Sequence, residues 1–349
     1  MMTGKRKGQV GIQFNWIFVI IAGALILGFF VMVVQKQREV SERKLATDLL
    51  ADLDMIITGQ AVSPGSSKTL DMAELELSFT CNDYSIMDVP RTSGNAIIFS
   101  PSRMKGRTLL AWTLPWDMPY RTANFIYMTV PEIRYFIVDP AQNNGMDSFG
   151  IKDDFPDKVD AAVVRTTPDS YEDYQRVRLV YFQEPQDPEM PLPSPALEDF
   201  ADEQVSALYI ESLDDNELKE EDFDGNAVIH FYRKEEDSLV KKGTWGAMGK
   251  ETIYGAIFSD DYELYMCNIQ KALKKLEVVT GVYGERASSV LEGLPDGDPC
   301  SPYYTNEPFE GIIESITGDE VRIGNLFEYK KRIEKLNDRT IFASCPAIY

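Results

Sequence analysis

The sequence predicts an α+β protein in which an N-terminal transmembrane helix continues into an amphipathic stalk and carries a β-rich lobe followed by a mixed α/β lobe. Three observations point there. Trp16–Val34 is apolar and without a charge; an apolar spacing of three to five residues then persists to about residue 58; and alternating strand-like segments give way to helical ones only after residue 260. These divide the chain into a basic leader (1–8), a transmembrane and stalk helix (9–60), a β-rich lobe (61–184), a proline-rich linker or loop (185–199) and a mixed α/β lobe with C-terminal helices (200–349).

At about 1.5 Å per residue, Trp16–Val34 makes a helix of roughly 29 Å, matching a hydrocarbon core of about 30 Å. Residues 14–34 are therefore expected to contact a lipid bilayer. Gln13 and Asn15 fall at the interface, where they can bond to water or a neighbouring helix, and Trp16 fits the aromatic belt. Beyond Val34, the residues Val40, Leu45, Leu49, Leu53 and Ile56 recur at helical spacing among Glu39, Glu42, Arg43, Lys44, Asp48 and Asp52. One helix is predicted over Gln13–Thr58, with Gly59 as its cap and Pro64-Gly65 as the stop. The helix is also the place where copies of the chain could associate as a homo-oligomer.

The string Lys5-Arg6-Lys7-Gly8-Gln9-Val10-Gly11-Ile12 resembles the class III signal segment of archaeal type IV pilins and archaellins. The resemblance covers about the first tenth of the chain. It implies cleavage between Gly8 and Gln9, with the hydrophobic helix retained for anchoring or assembly; a plain uncleaved signal anchor is the preferred reading of the same residues. Flanking charge does not set the orientation, because Lys5, Arg6 and Lys7 are balanced by Lys36, Arg38, Arg43 and Lys44. The acidic bulk suits export, so the C-terminal mass is expected outside the cytoplasm of a single-pass cell-membrane protein.

Residues 75–184 read as a half-buried mixed sheet, with alternation at Glu74–Phe79 and β-prone runs at 96–99, 109–113, 135–138, 161–165 and 177–182 between frequent prolines. Pro185, Pro188, Pro191, Pro193 and Pro195 mark an extended linker or surface loop. After it, strands are predicted over 205–210, 227–232 and 252–258, then helices over 262–291, 307–316 and 326–336.

Fifty-six acidic against thirty-five basic residues give a net charge of -21. That balance repels phosphates and excludes nucleic acid as a partner. Cys81, Cys267, Cys300 and Cys345 are widely spaced, contain no C-x-x-C and accompany a single histidine, His230. Zinc is disfavoured and no cofactor is expected; two disulfides in an oxidising compartment, or four buried thiols, fit. If 262–291 is one straight helix, Cys267 lies about 36 Å from its end, beyond the roughly 32 Å that nine extended residues reach toward Cys300. A hairpin of the last two helices would instead bring Cys300 and Cys345 to the same end. Cys300–Cys345 is therefore the predicted bond, with Cys81 and Cys267 paired by elimination or free.

No catalytic residue can be nominated. Trp112, Trp116, Tyr120, Phe125, Tyr127, Tyr135 and Phe136 suit either a stacking platform or a core, and core is preferred. Gly243–Gly249, flanked by Lys241, Lys242 and Lys250, has the composition of a phosphate cradle but is expected to precede a strand, not open a helix. Asp222–Asn226 begins like a calcium loop, yet Ala227 and Arg233 stand where Gly and Glu are needed. Asp296-Gly297-Asp298 reads as a turn, and His230 as a satisfied strand residue with no nucleophile motif beside it. The function expected is a membrane-anchored extracytoplasmic structural or interaction protein, possibly pilin-like, with an anchored ligand-binding module and an anchored hydrolase as alternatives.

Overall fold

The computed structural model describes residues 10–63, 65–87, 89–140, 150–171, 174–183, 185, 187–212, 227–318 and 321–349, with the side chains of the N-terminal helix from residue 16 onward. Gly8, Gln9 and the acidic segment Asp222–Asn226 lie outside the described residues, as do the side chains of Gln13 and Asn15.

A single helix, α1 (Val10–Val62), opens the fold. It is about 80 Å long and runs past Gly59, which sits mid-turn with open space around its Cα, so the expected glycine cap is not the terminus. The end comes three residues later, where the Asn124 amide donates to the carbonyls of Gln60 and Ala61 and satisfies groups a helix leaves open at its C-terminus. From Ala46 upward one stripe of the helix is buried: Ala46, Leu49, Leu50, Leu53, Ile57 and Gln60. These positions follow the 3.6-residue period and pack on the head.

The strands form three sheets rather than one half-buried sheet. The first contains β1 (Ser67–Asp71), β5 (Ile97–Phe99), β7 (Thr108–Asp117) and β8 (Arg121–Thr129), in the order β1-β7-β8-β5. The second is small and antiparallel: β2 (Glu76–Phe79), β3 (Asp83–Ile86), β4 (Val89–Thr92) and β6 (Arg103–Lys105), in the order β4-β3-β2-β6. The third has seven strands, β9 (Ile133–Val138), β10 (Ala161–Val164), β11 (Arg176–Tyr181), β12 (Glu189–Pro191), β13 (Val205–Ser212), β14 (Ala227–Glu235) and β15 (Ser238–Gly246), ordered β10-β9-β11-β13-β14-β15-β12. Its first four strands are parallel and the remainder antiparallel.

This third sheet takes strands from both sides of the proline-rich segment, and the segment itself supplies β12. Pro191 is tolerated there because β12 is an edge strand, where a missing N–H costs no ladder bond. Side chains alternate cleanly between two cores. Tyr135, Ile137, Val180, Leu208, Ile229 and Phe231 face the main core, whereas Phe136, Leu179, Tyr181, Ala207, Tyr209 and Tyr232 face a smaller one. Leu192, Leu197 and Phe200 of the proline-rich stretch cover that second face.

Four helices complete the head: α2 (Lys250–Phe258), α3 (Tyr262–Gly293), α4 (Glu307–Thr317) and α5 (Ile323–Phe342). The stretch 252–258 was expected to be a strand and is helical. All seven residues from Thr252 to Phe258 are buried, so no polar face reveals a helical period, and a short continuous apolar run is ambiguous between the two states. In contrast, α3 begins where Asp261 accepts a hydrogen bond from the Leu264 N–H, a standard N-cap. Its Asn268 accepts from the Ile98 N–H, so the helix also closes the outer edge of β5.

Candidate functional site

The apolar part of α1 is a candidate membrane span of high hydropathy, with none of it buried in the protein. Phe18, Leu25 and Phe30 are all more than half exposed. Residues 35–45, about 16 Å of helix, stand free between this span and the head. That neck carries the i,i+4 pairs Arg38–Glu42 at 2.8 Å and Glu39–Arg43 at 3.1 Å, which support an exposed helix, although Val40 and Leu45 also stand exposed on it. The apolar helix is compatible with a single-pass anchor.

Both disulfides are formed: Cys300 is bonded to Cys345 and Cys81 to Cys267. The first closes the end of the α4–α5 pair and holds the C-terminal tail, whose Ile348 and Tyr349 N–H groups also donate to Asn337 Oδ1. The second ties the β2–β3 turn to α3, and the Lys271 ammonium, one turn further along α3, donates to the Cys81 carbonyl. Disulfides of this kind fit an oxidising compartment.

The aromatic stretch is core. Trp112, Trp116, Tyr120, Phe125, Tyr127, Tyr135 and Phe136 are all buried, with Trp112 and Tyr135 packed at 4.6 and 4.9 Å from the Phe258 ring. The polar tips of two of them hold the start of α2, Trp116 Nε1 donating to the Met248 carbonyl just before it and Tyr127 Oη to that of Glu251; Tyr265 Oη, from α3, donates to the Thr252 carbonyl. Burial drives the Tyr127 and Tyr135 phenols well above their ordinary range.

The glycine-rich segment Gly243–Gly249 forms the end of β15 and leads into α2, with Gly249 at its N-cap, so it precedes a helix where a strand was expected. Two of its donors, the N–H groups of Ala247 and Met248, are nonetheless occupied internally. The Met248 N–H donates to Thr252 Oγ1, and Glu251 sits at the helix N-terminus with its carboxyl pushed up chiefly by burial, opposed by its own backbone N–H. A carboxylate already placed at that terminus repels a phosphate. His230 is a buried strand residue between Glu211 and Thr244, each at 3.3 Å, and Asp296–Asp298 is a turn in which Gly297 takes a φ of 79° and Asp298 accepts from the Cys300 N–H.

One site was missed entirely by sequence reasoning. Alternation places Arg103 and Lys105 on one face of β6, and Arg176 and Arg178 on the main-core face of β11. Between the two strands lies a groove of about 230 Å³ lined by Glu76, Arg103, Lys105, Arg176, Glu203 and Gln204. Arg176, Glu203 and Gln204 also bound a smaller, partly open space of about 10 Å³, whose other walls include Tyr135, Arg178, Ser206 and Asp260.

Arg178 is fully buried in that wall. It donates from Nη2 to the carbonyls of Ala256 and Ser259, at 2.8 and 2.5 Å, and from Nε to that of Ile257 at 3.3 Å. It thus caps the C-terminus of α2, where a cation opposes the helix dipole. Burial lowers its pKa to about 10, so it stays charged at neutral pH, and its Nη1 has no hydrogen-bond partner. Arg176 pairs with Asp260 at 2.5 Å, and Asp260 also accepts from the Ser102 N–H and hydroxyl. Arg103 and Lys105 make no ion pair among the described residues. The only sequence trace of this site is the Arg-x-Arg pattern within an apolar strand.

No protein family, characterised protein or solved structure matches the chain.

Proposed function

We propose that this is a single-pass, membrane-anchored, extracytoplasmic structural or interaction protein, and that copies associate through the N-terminal helix in a pilin-like manner. The observation that carries the reading is the division of α1. Residues 16–34 are apolar on every side and find no partner within the protein, while residues 46–60 are a strut of the head core. A bilayer covering residues 14–34 accounts for the first half, and an acidic head held off by a charged neck accounts for the second. Two disulfides support an oxidising, extracytoplasmic location for the head. The basic leader ending at Gly8 supports processing before Gln9.

N-terminal mass spectrometry of membrane-purified protein tests this. A mature terminus at Gln9 together with in-membrane cross-links between copies at residues 20–34 is the result expected of pilin-like assembly. An intact leader and a monomeric anchor would leave the plain signal-anchor form and remove the assembly. Protease added to cells without a wall barrier should cut the exposed head, and protection until permeabilisation would reverse the orientation. A second reading, an anchored ligand-binding module, is favoured by the groove between β6 and β11.

A further inference from the structure

The side of α1 turned away from the head has a pattern that the rest of the stalk lacks. Lys44, Thr47, Ala51, Met55, Thr58 and Val62 follow one another at steps of three and four, which aligns them along one side of the helix. All six are exposed, Met55 by 66% and Val62 by 75%. They lie roughly 150° round the axis from the stripe that the head buries between Ala46 and Gln60. Nine charged side chains stand between residues 35 and 62, yet only Lys44 falls on this line. A helix face that only water meets has no reason to shed its charges. Two steps of four follow each other at Thr47, Ala51 and Met55; such a stutter unwinds a coiled coil locally without ending its seam.

We infer that this line is the seam of a two-fold contact between the α1 stalks of two copies of the chain, parallel and in register outside the bilayer. The inference rests on the reading of α1 as an anchor, because a shared bilayer sets both helices in one direction and at one depth. Charge complementarity selects a second copy as the occupant. Arg43 flanks the seam on the side just before Lys44, and Asp48 flanks it on the other side just after Thr47. In a parallel pair these two flanks meet between copies, five residues apart, so the contact carries two Arg43–Asp48 ion pairs. Within one chain Asp48 has no ion pair among the described residues, whereas the neighbouring pairs Arg38–Glu42 and Glu39–Arg43 are made. A single Lys in such a seam fixes register at a cost in stability. The two threonines weaken it further, and confinement of both copies in one membrane offsets this by raising their effective concentration. The head buries Leu50 beside one flank and half-buries Ile56 beside the other, so the free sector admits one neighbouring helix. The bilayer half of α1 stays open to further copies.

All four native cysteines are in disulfides, so a thiol introduced on α1 is the only free one. Membranes holding the full chain with Ala51→Cys, Met55→Cys or Asp52→Cys are treated with copper phenanthroline, an oxidant that reaches thiols in water and in the bilayer. Disulfide-linked dimers are expected from Ala51→Cys and Met55→Cys and not from Asp52→Cys, which lies about 100° off the seam. Same-residue cross-links of this kind require a two-fold contact. Arg43→Asp, or Asp48→Arg, sets like charges across both flanks and should lower the dimer yield at Met55→Cys about fivefold. The two reversals together should restore it. Arg43 and Asp48 are exposed, so the melting temperature of the head should not move in any of these variants. Dimers from Ile26→Cys, inside the bilayer, without dimers from Ala51→Cys or Met55→Cys would overturn the seam and leave association through the span intact. No dimers from any of the three would overturn both. Equal yields from Asp52→Cys and Met55→Cys, or no recovery in the combined reversal, would overturn the seam and its register.

Discussion

Residues 16–34 and residues 46–60 belong to the same uninterrupted helix, yet they solve the burial of apolar side chains in opposite ways. In the lower stretch every position is apolar, so no face is distinguished and nothing in the protein covers any of them. In the upper stretch the buried apolar residues recur at helical spacing, and Leu50 and Leu53 are wholly buried while Asp48, Asp52 and Met55 around them face outward. The difference teaches that hydropathy and periodicity answer separate questions about one helix. The amount of apolar surface says which solvent a segment wants, and its period says which side the protein will cover.

The comparison can be broken most severely in the lower half. Replacing Ala24 and Leu25 with Asp puts two charges near the bilayer centre, at a cost of roughly 5–7 kcal/mol on insertion scales, and should abolish carbonate-resistant membrane association; unchanged association would show that this stretch is not the anchor. In the upper half, Leu53→Ala should cost the head about 2–5 kcal/mol by leaving a cavity, read as a lower melting temperature with membrane association intact. The matched change Val31→Ala should leave head melting where it is. Asn124→Ala removes the donor to the last carbonyls of α1 and should destabilise the head by about 1 kcal/mol, measurable as a shift in denaturant midpoint with constant slope. Smallest of all, Arg38→Gln removes one exposed neck pair and should cost no more than about 0.5 kcal/mol, visible only as faster amide exchange in residues 35–45.

The same contrast explains what could be read from the sequence. The α+β class, α1 and α3 were legible because period and length agreed, even though α1 runs past the expected cap at Gly59; α3 keeps an exposed face and starts beside Asp261, its N-cap. The α4–α5 pair and the Cys300–Cys345 bond followed from short connections and local reach. What failed was nonlocal. Helix α2 is sealed between β7, β8 and Arg178 of β11, so its sequence shows only an apolar run. Strand β8 holds Arg121, Asn124 and Thr129 among its apolar residues, and Asn124 is there to cap a helix that ended more than sixty residues earlier. The groove was invisible for the same reason. Arg176 meets Asp260 and Arg178 meets the end of α2 across some eighty residues of chain, and Arg103 joins them only because a separate sheet is folded alongside.

The unbroken passage of α1 from apolar span to head carries one more implication, which concerns phase. With no hinge between Val34 and Ala46, each residue of the neck fixes about 100° of rotation and 1.5 Å of height. The face of the span that a neighbouring helix would touch is thereby locked to one azimuth of the head. Inserting a single residue at the neck would turn the head by more than a quarter revolution while barely raising it. Inserting seven would return it to within about 20° of its starting bearing and lift it by about 10 Å. The neck thus works as a dial as well as a spacer, and the bearing of the head relative to any one face of the apolar span is written into the number of its residues.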